Sequence, residues 1–370
     1  MASRKFNRNR LFIRKLSDRK NKVFIERDHV PATRKPHRLS EKTMNLIAVC
    51  AEKIRAAREN QRPVILAFGA HTIKNGMAPT LIALMNEGWV THLSTNGAGI
   101  IHDWEFAYQG KSSEDVRENV HRGQFGLWEE TGYYINLAIN VGAFQGLGYG
   151  TSVGKMISEE GLDIPKPDDL RHWAGEHMKS DPERSASAVD LAGILETFGI
   201  EPGFMSIPHP FKSWSLQAAA FEQKVNFTGH PMIGCDIIYT HPMNHGAAIG
   251  RASLTDFLLY AESIRQLEHG VYLSIGSAVM SPMIFEKSFS MAQNLAIQSG
   301  RHIDQHSIFV VDLAESEWDW QNDGEPPSDH PAYYLRYCKT FNRMGGEMHY
   351  LSADNRDFLL TLYQMLSGSS

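Results

Sequence analysis

Residues 63–103 read PVILAFGAHTIKNGMAPTLIALMNEGWVTHLSTNGAGIIHD, and this stretch decides the fold. Val64 to Ala67 form a short apolar run behind Pro63 and ahead of Gly69, the pattern of a buried strand. A polar segment, His71 to Asn75, leads to Gly76. Ala78, Leu81, Ile82, Leu84 and Met85 then recur at helical spacing until Gly88. A second strand is expected over residues 90–95, running into the glycine-rich loop Asn96-Gly97-Ala98-Gly99. Two strands bridged by one helix form a right-handed crossover, so both carboxyl ends open on one edge of a parallel sheet. That edge is where open α/β sheets hold ligands.

Outward from this unit the alternation continues. Before it, Ser40 with Thr43 can cap a helix whose Leu46, Ile47, Cys50, Ile54 and Ala57 make one apolar stripe. After it, residues 104–126 read as a long polar connection, of the kind that is often functional at a strand's carboxyl end. Residues 128–141 are expected to be helical. The segment GAFQGLGYGTSVGK (142–155) lacks the spacing of a phosphate loop, since Met156 follows Lys155; close helix packing is the better reading of its glycines. Residues 157–185 are expected to form an exposed excursion. Strands are then expected at 225–227, 271–275, 307–313 and 348–351. They alternate with helices at 188–198, 215–223, 257–267, 283–296, 333–341 and 354–366. The pattern is that of an α/β protein with a doubly wound, mostly parallel sheet and helices on both faces. One domain over residues 40–370 is expected, behind a distinct extension at 1–39.

Composition limits the function classes. The chain has 370 residues and a formal charge of −5, but residues 1–39 hold 13 Lys and Arg against 3 Asp and Glu. Such an arm could touch nucleic acid, anionic lipid or an acidic partner, or could pack on a neighbouring subunit. Asp18, Glu26 and Asp28 interrupt it and argue against a transit peptide. No apolar run approaches the roughly 18 residues of a membrane span. Cys50, Cys235 and Cys338 are too few and too far apart for a disulfide framework or zinc ribbon, so a reducing cytoplasm is expected.

The order and chemistry of the loops resemble the deoxyhypusine synthase family, NAD-dependent enzymes with a doubly wound, Rossmann-like core. Where that family has a strand followed by S-S-G, this chain has FGAHTIKNG; for T-T-A-G-G-V-E-E-D it has TNGAGIIHD (95–103), and for L-R-E-N-G-I-N-R-I-G-N it has VRENVHRGQFG (116–126). Further matches are KVNFTGHPMIGCDII, GSAVMSPMIFEKS and EWDWQNDG, so the resemblance covers about residues 45–130 and 205–366. It implies NAD contacts at His71, Asn75, Gly76, Thr95, Asn96, Gly97, Ala98, Gly99, Asp312, Ala314, Ser352 and Ala353. It implies amine-substrate contacts at Asp103, Asp236, His241, Glu286, Trp318 and Asp319, a homotetramer, and catalytic roles near His102, Tyr337 and Lys339.

The departures concern the chemistry itself. The family's imine-forming lysine falls on Tyr337, with Arg336 before it and Lys339 two residues after. Arginine cannot replace that nucleophile, because its guanidinium stays protonated. The family's tandem histidines fall on Pro282 and Met283, and its paired glutamates on Ile101 and His102; only Asp103 is kept.

Read physically, the N–H groups of Gly97–Gly99 could approach a pyrophosphate, or could simply make a tight turn. Asp236 could hold an ammonium, or could cap a helix or join a surface salt bridge. His209, His230, His241 and His245 cluster around Cys235 and Asp236, open to acid–base chemistry, to a metal or to plain structural use. The acidic loop 315–329, with Trp318 and Trp320, suits a cation. Two function classes follow. One is an NAD enzyme acting on a polyamine or other amine by a route other than the lysine imine. The other is a metal-dependent hydrolase or lyase on the same sheet that no longer holds the dinucleotide.

Overall fold

A computed structural model describes residues 5–368; residues 1–4 of the basic extension and 369–370 lie outside the described residues. Among the described residues ten strands occur, in chain order β1 (Asn21–Phe24), β2 (Val64–Phe68), β3 (His92–Asn96), β4 (Lys111–Glu114), β5 (Gly161–Ile164), β6 (Gly203–Ser206), β7 (Asn226–His230), β8 (Val271–Ile275), β9 (Ser307–Asp312) and β10 (Glu347–Ser352). The described residues divide into two compact units. One gathers residues 28–99, 219–230 and 256–368, and the other residues 5–27, 100–218 and 231–255. The single domain expected over 40–370 does not separate these two.

The first of these units carries the sheet. Six strands pair in parallel in the order β10-β9-β8-β2-β3-β7. Numbered by appearance in the chain, the strands of this sheet run 3-2-1-4-5-6, the order of a dinucleotide-binding doubly wound fold. All five residues of β2 and of β8 are buried, as strands covered on both faces must be. Alternate residues explain the two layers. Ile65, Ala67, Tyr272, Ile308 and Val310 face Tyr260, Ile264, Phe285, Phe289 and Phe341 in one apolar cluster. The helices Glu41–Glu59 and Asn355–Ser367 pack with each other and against β2, β9 and β10. The Ser40 side chain accepts from the Thr43 N–H, as the sequence leads one to expect.

The second unit is built on helices with two small antiparallel ribbons, β1–β4 and β5–β6. Residues 104–126 are not an irregular loop. The helix Gly97–Gln109 runs on through them, then β4, then the helix Val116–His121. Nor are residues 157–185 an exposed excursion: β5 is followed by the helix Pro167–His177, which packs against the helix Pro182–Thr197. The glycines of 142–155 have packing roles. A side chain on Gly142 would strike Ser152 Oγ, and one on Gly154 the carbonyl of Gln217.

Within this unit the basic extension is folded against its own chain. Arg19 donates through both guanidinium nitrogens to Glu105, at 2.7 and 2.5 Å, with both side chains buried. The Ser112 and Thr131 hydroxyls donate to the same carboxylate. Arg8 donates to the carbonyls of Tyr239 and Asn244. These arginines are therefore held by carboxylate and carbonyl groups of the fold itself. Glu105→Ala would leave Arg19 as an uncompensated buried charge, and should cost about 3–5 kcal/mol in chemical denaturation.

In the sheet unit, His92 and His230 share the Thr228 hydroxyl at 3.0 Å each, and His92 Nδ1 meets Ser263 Oγ at 2.8 Å. Burial lowers both imidazoles to about 3. The unfolded chain takes up these protons below 6.5 while the folded chain does not. Their neutral-state stability is thus fully present above 6.5 and is lost as pH falls toward 3. Each should remove about 1.4 kcal/mol per pH unit over that window. Urea denaturation at pH 7.5 and 5.5 should show the loss, and a His92→Gln variant should show a shallower dependence.

Candidate functional site

Strands β2 and β8 are the neighbours at which the chain switches direction across the sheet, and their carboxyl ends lie side by side. Gly69 follows β2 and Gly276 follows β8. The Gly69 N–H donates to the Ile275 carbonyl at 3.0 Å, and a Cβ on Gly69 would fall 2.1 Å from the Gly276 carbonyl oxygen. Only glycine permits this approach. Beside it opens a crevice of about 250 Å³ lined by His71, Asn75, Gly276, Val311, Asp312, Leu313, Ala353, Asp354 and Asn355.

Each wall of the crevice has a local cause. The chain leaves β2 directly into the short helix Ala70–Lys74, which puts His71 at the rim and Asn75 at its end. Asn75 Nδ2 donates to Asn355 Oδ1 at 3.1 Å, and Asn355 Nδ2 reaches Thr72 Oγ1 at 3.3 Å, tying the two loops together. Asp312 ends β9 and pairs in register with Ser352. Its Oδ1 accepts from the Ala314 N–H and its carbonyl from the Ala353 N–H. Among the described residues, no donor is bonded to Asp312 Oδ2. Asp354 caps the helix Asn355–Ser367 and pairs with Arg356 at 3.1 Å, and the Arg356 guanidinium helps hold its carboxyl below the usual range. Gly276 has φ +56° with open space where a side chain would project. Burial, and then Lys74, lower the His71 imidazole.

Of the cofactor residues expected from the sequence, His71, Asn75, Asp312 and Ala353 line this crevice. Ser352 sits one residue from it, and the Ala314 carbonyl accepts from the Tyr350 hydroxyl. The others are used elsewhere. Gly76, at φ +78°, closes against Asp28 and His29, and its carbonyl accepts from Val30. Thr95 Oγ1 donates to the Phe68 carbonyl. Gly97, Ala98 and Gly99 are not a loop but the first turn of the helix Gly97–Gln109, with Asn96 Oδ1 accepting from the Gly99 N–H at 3.0 Å. That N–H already has its acceptor. The contributions of Gly276, Asp354 and Asn355 were missed; each follows a strand, which was the available signal.

The expected substrate and catalytic residues fall into both units. In the sheet unit, Lys339 is buried; its Nζ lies 2.7 Å from Glu325 and 3.5 Å from the centre of the Tyr333 ring. Tyr337 is half-buried, and burial with the neighbouring Tyr350 raises its phenol. Trp318 Nε1 donates to the Gly324 carbonyl, Asp319 accepts from Gln321 and Asn322 within its own exposed turn, and Glu286 pairs with Lys287.

In the other unit, His102 Nδ1 lies 2.7 Å from Ser112 Oγ, and His241 Nε2 lies 3.4 Å from Glu129. Asp103 is fully engaged: its carboxylate accepts from the Ser215 hydroxyl, the Leu216 and Gln217 N–H groups and the Gln217 amide. It caps the helix Leu216–Gln223. Asp236 is half-buried, with Oδ2 lacking a hydrogen-bond partner, and burial pushes its carboxyl up to about 6. Among the described residues no three of His, Cys, Asp and Glu group as a metal ion needs.

Asp103→Ala should therefore destabilise the fold by about 2–4 kcal/mol, through four abandoned donors and a lost cap. Thermal unfolding measures it, and ligand affinity at the crevice should stay unchanged.

No family model matches the chain, and no curated protein matches it. Solved structures similar to it include apo ArgZ, an arginine dihydrolase from the ornithine–ammonia cycle in cyanobacteria, at 14% identity and TM-score 0.41 over 88% of this chain and 33% of that one. AgrE in a ternary complex with ornithine and NAD⁺ is 15% identical, with TM-score 0.44 over 90% of this chain and 34% of that one. A conserved LOR/SDH protein from Methanococcus maripaludis S2 is 11% identical, with TM-score 0.46 over 92% and 74%. The chain spans about a third of the length of the first two. At TM-scores this low the likenesses carry no functional assignment.

Proposed function

We propose that the protein is an NAD-binding enzyme that acts on an amine or amino acid. The observation that carries the reading is the crevice at the β2/β8 switch point, with two carboxylates, two amides and an imidazole converging on it. A volume of about 250 Å³ falls just under the range for drug-sized ligands, so it suits one nucleoside end of a dinucleotide. The residues present fit that group. Asp312, at the carboxyl end of β9, would accept from ribose hydroxyls, and Asn75, Asn355 and backbone groups beside Gly276 would orient the rest. When bound, NAD supplies hydride transfer, and the protein supplies position and charge.

Among the described residues no lysine or arginine lines the crevice, and Asp312 and Asp354 do. A 2′-phosphate would meet carboxylates there, so NAD⁺ is preferred over NADP⁺. Isothermal titration should show NAD⁺ binding at least about tenfold tighter than NADP⁺. Asp312→Ala should weaken NAD⁺ and narrow the gap. The absence of NAD⁺ binding at millimolar concentration would defeat the reading.

For the substrate, the resemblance to deoxyhypusine synthase favours a polyamine or related amine, and Asp236 is the carboxylate best suited to an ammonium. The imine route is disfavoured. An imine requires a neutral amine lone pair, and Lys339 is engaged with Glu325 and Tyr333. Borohydride with labelled spermidine and NAD⁺ should trap no adduct on Lys339. A homotetramer in the cytoplasm belongs to the same proposal, with light scattering as its check. The metal-dependent alternative is not favoured by any grouping of ligand side chains among the described residues.

A further inference from the structure

The opposite edge of the same sheet carries a second cleft. Two adjoining cavities, of about 480 and 460 Å³, open at the amino ends of β2, β8 and β9 and share Arg62 and His269. Arg62, Arg265, Arg301, His269 and His302 line the first, with Glu268 as its one carboxylate. Glu268 is already occupied: its Oε2 accepts from the N–H groups of Asp304 and Gln305, at 2.7 and 3.0 Å. Lys53 in the second cavity pairs with Glu347, and Arg265 with Glu262. Among the described residues, Arg62 and Arg301 make no ion pair with a carboxylate.

A modest explanation exists for each arginine. Arg265 ends a helix, while Arg62 and Arg301 follow the ends of the helices Glu41–Glu59 and Met280–Gln298. A cation there offsets the helix dipole. That accounts for each position singly. It does not account for two guanidinium groups without a carboxylate partner on one cavity of ligand size, beside a third held by Glu262 and a Glu268 whose Oε2 is taken by backbone donors and whose Oε1 lies 3.9 Å from His269. Guanidinium forks match phosphate oxygens in pairs, which an ammonium does not.

We propose that this cleft binds the phosphate chain of a small polyphosphate, such as a nucleoside triphosphate, with Arg62 and Arg301 as the principal contacts. It is a separate site from the NAD crevice. Strands of 5–6 residues place the two edges roughly 16–20 Å apart.

Calorimetric titration of the full chain, with NAD⁺ at saturation so that the crevice is filled and at low salt, where surface charge is least screened, tests it with ATP, inorganic tripolyphosphate and adenosine. ATP and tripolyphosphate should bind and adenosine should not. Tighter binding of ATP would assign the nucleotide as the source, and equal binding the inorganic chain. Arg62→Gln/Arg301→Gln should weaken both by about tenfold or more, and leave NAD⁺ affinity and thermal unfolding unchanged. Arg301→Gln alone, at an exposed position, should weaken them severalfold and serves if the double variant misfolds. Four results would overturn the proposal: no ATP binding at millimolar concentration, adenosine binding as tightly as ATP, unaltered binding by the variants, or a single-stranded RNA binding through these arginines more tightly than ATP.

Discussion

The contact between Gly69 and Gly276 is the constraint on which the sheet unit turns. Strands β2 and β8 run side by side, yet the chain leaves them toward opposite flanks of the sheet, β3 and β7 on one side and β9 and β10 on the other. Two connections departing in opposite senses from adjacent strands leave a gap at their carboxyl ends. Its depth depends on how closely the two backbones approach, and Gly69, without a Cβ, lets the Gly276 carbonyl come within the space a side chain would fill. The residues of the crevice sit on strand ends, on the loops that follow them and on the first turns of the helices Ala70–Lys74 and Asn355–Ser367.

Carboxylates of the other unit are directed to structure. Asp103 and Glu105 lie two residues apart on the helix Gly97–Gln109, both buried. A buried carboxylate needs several donors or a counter-charge to remain ionised. Asp103 takes four donors at the start of a helix, whereas Glu105 takes Arg19 and two hydroxyls. The basic amino-terminal segment thereby acquires a fold-stabilising role. Its charge enrichment suggested an arm that reaches another molecule or packs on a neighbouring subunit, because the acidic partners are far along the chain.

How much was legible follows the range of each interaction. The apolar runs 64–67, 271–275 and 307–313 marked strands, because burial on both faces leaves a local signature. His71, Asn75, Asp312 and Ala353, named as NAD contacts by loop resemblance, line one crevice. Asn96–Gly99 was misread as a loop, since the helix begins without one and the Asn96 side chain supplies its own cap. Gly276, Asp354 and Asn355 join the crevice only through pairing of distant strands, which periodicity does not reveal. The pairing of Lys339 with Glu325 spans an acidic loop whose path has no repeat to read.

Hydrogen–deuterium exchange with and without saturating NAD⁺ tests the central claim most directly. The account predicts slower exchange in residues 69–76, 276–280, 312–314 and 352–356, and no change at 96–99, where the Gly99 N–H is already bonded to Asn96. Protection concentrated at 96–99, or none at the carboxyl ends of β2, β8, β9 and β10, would contradict it.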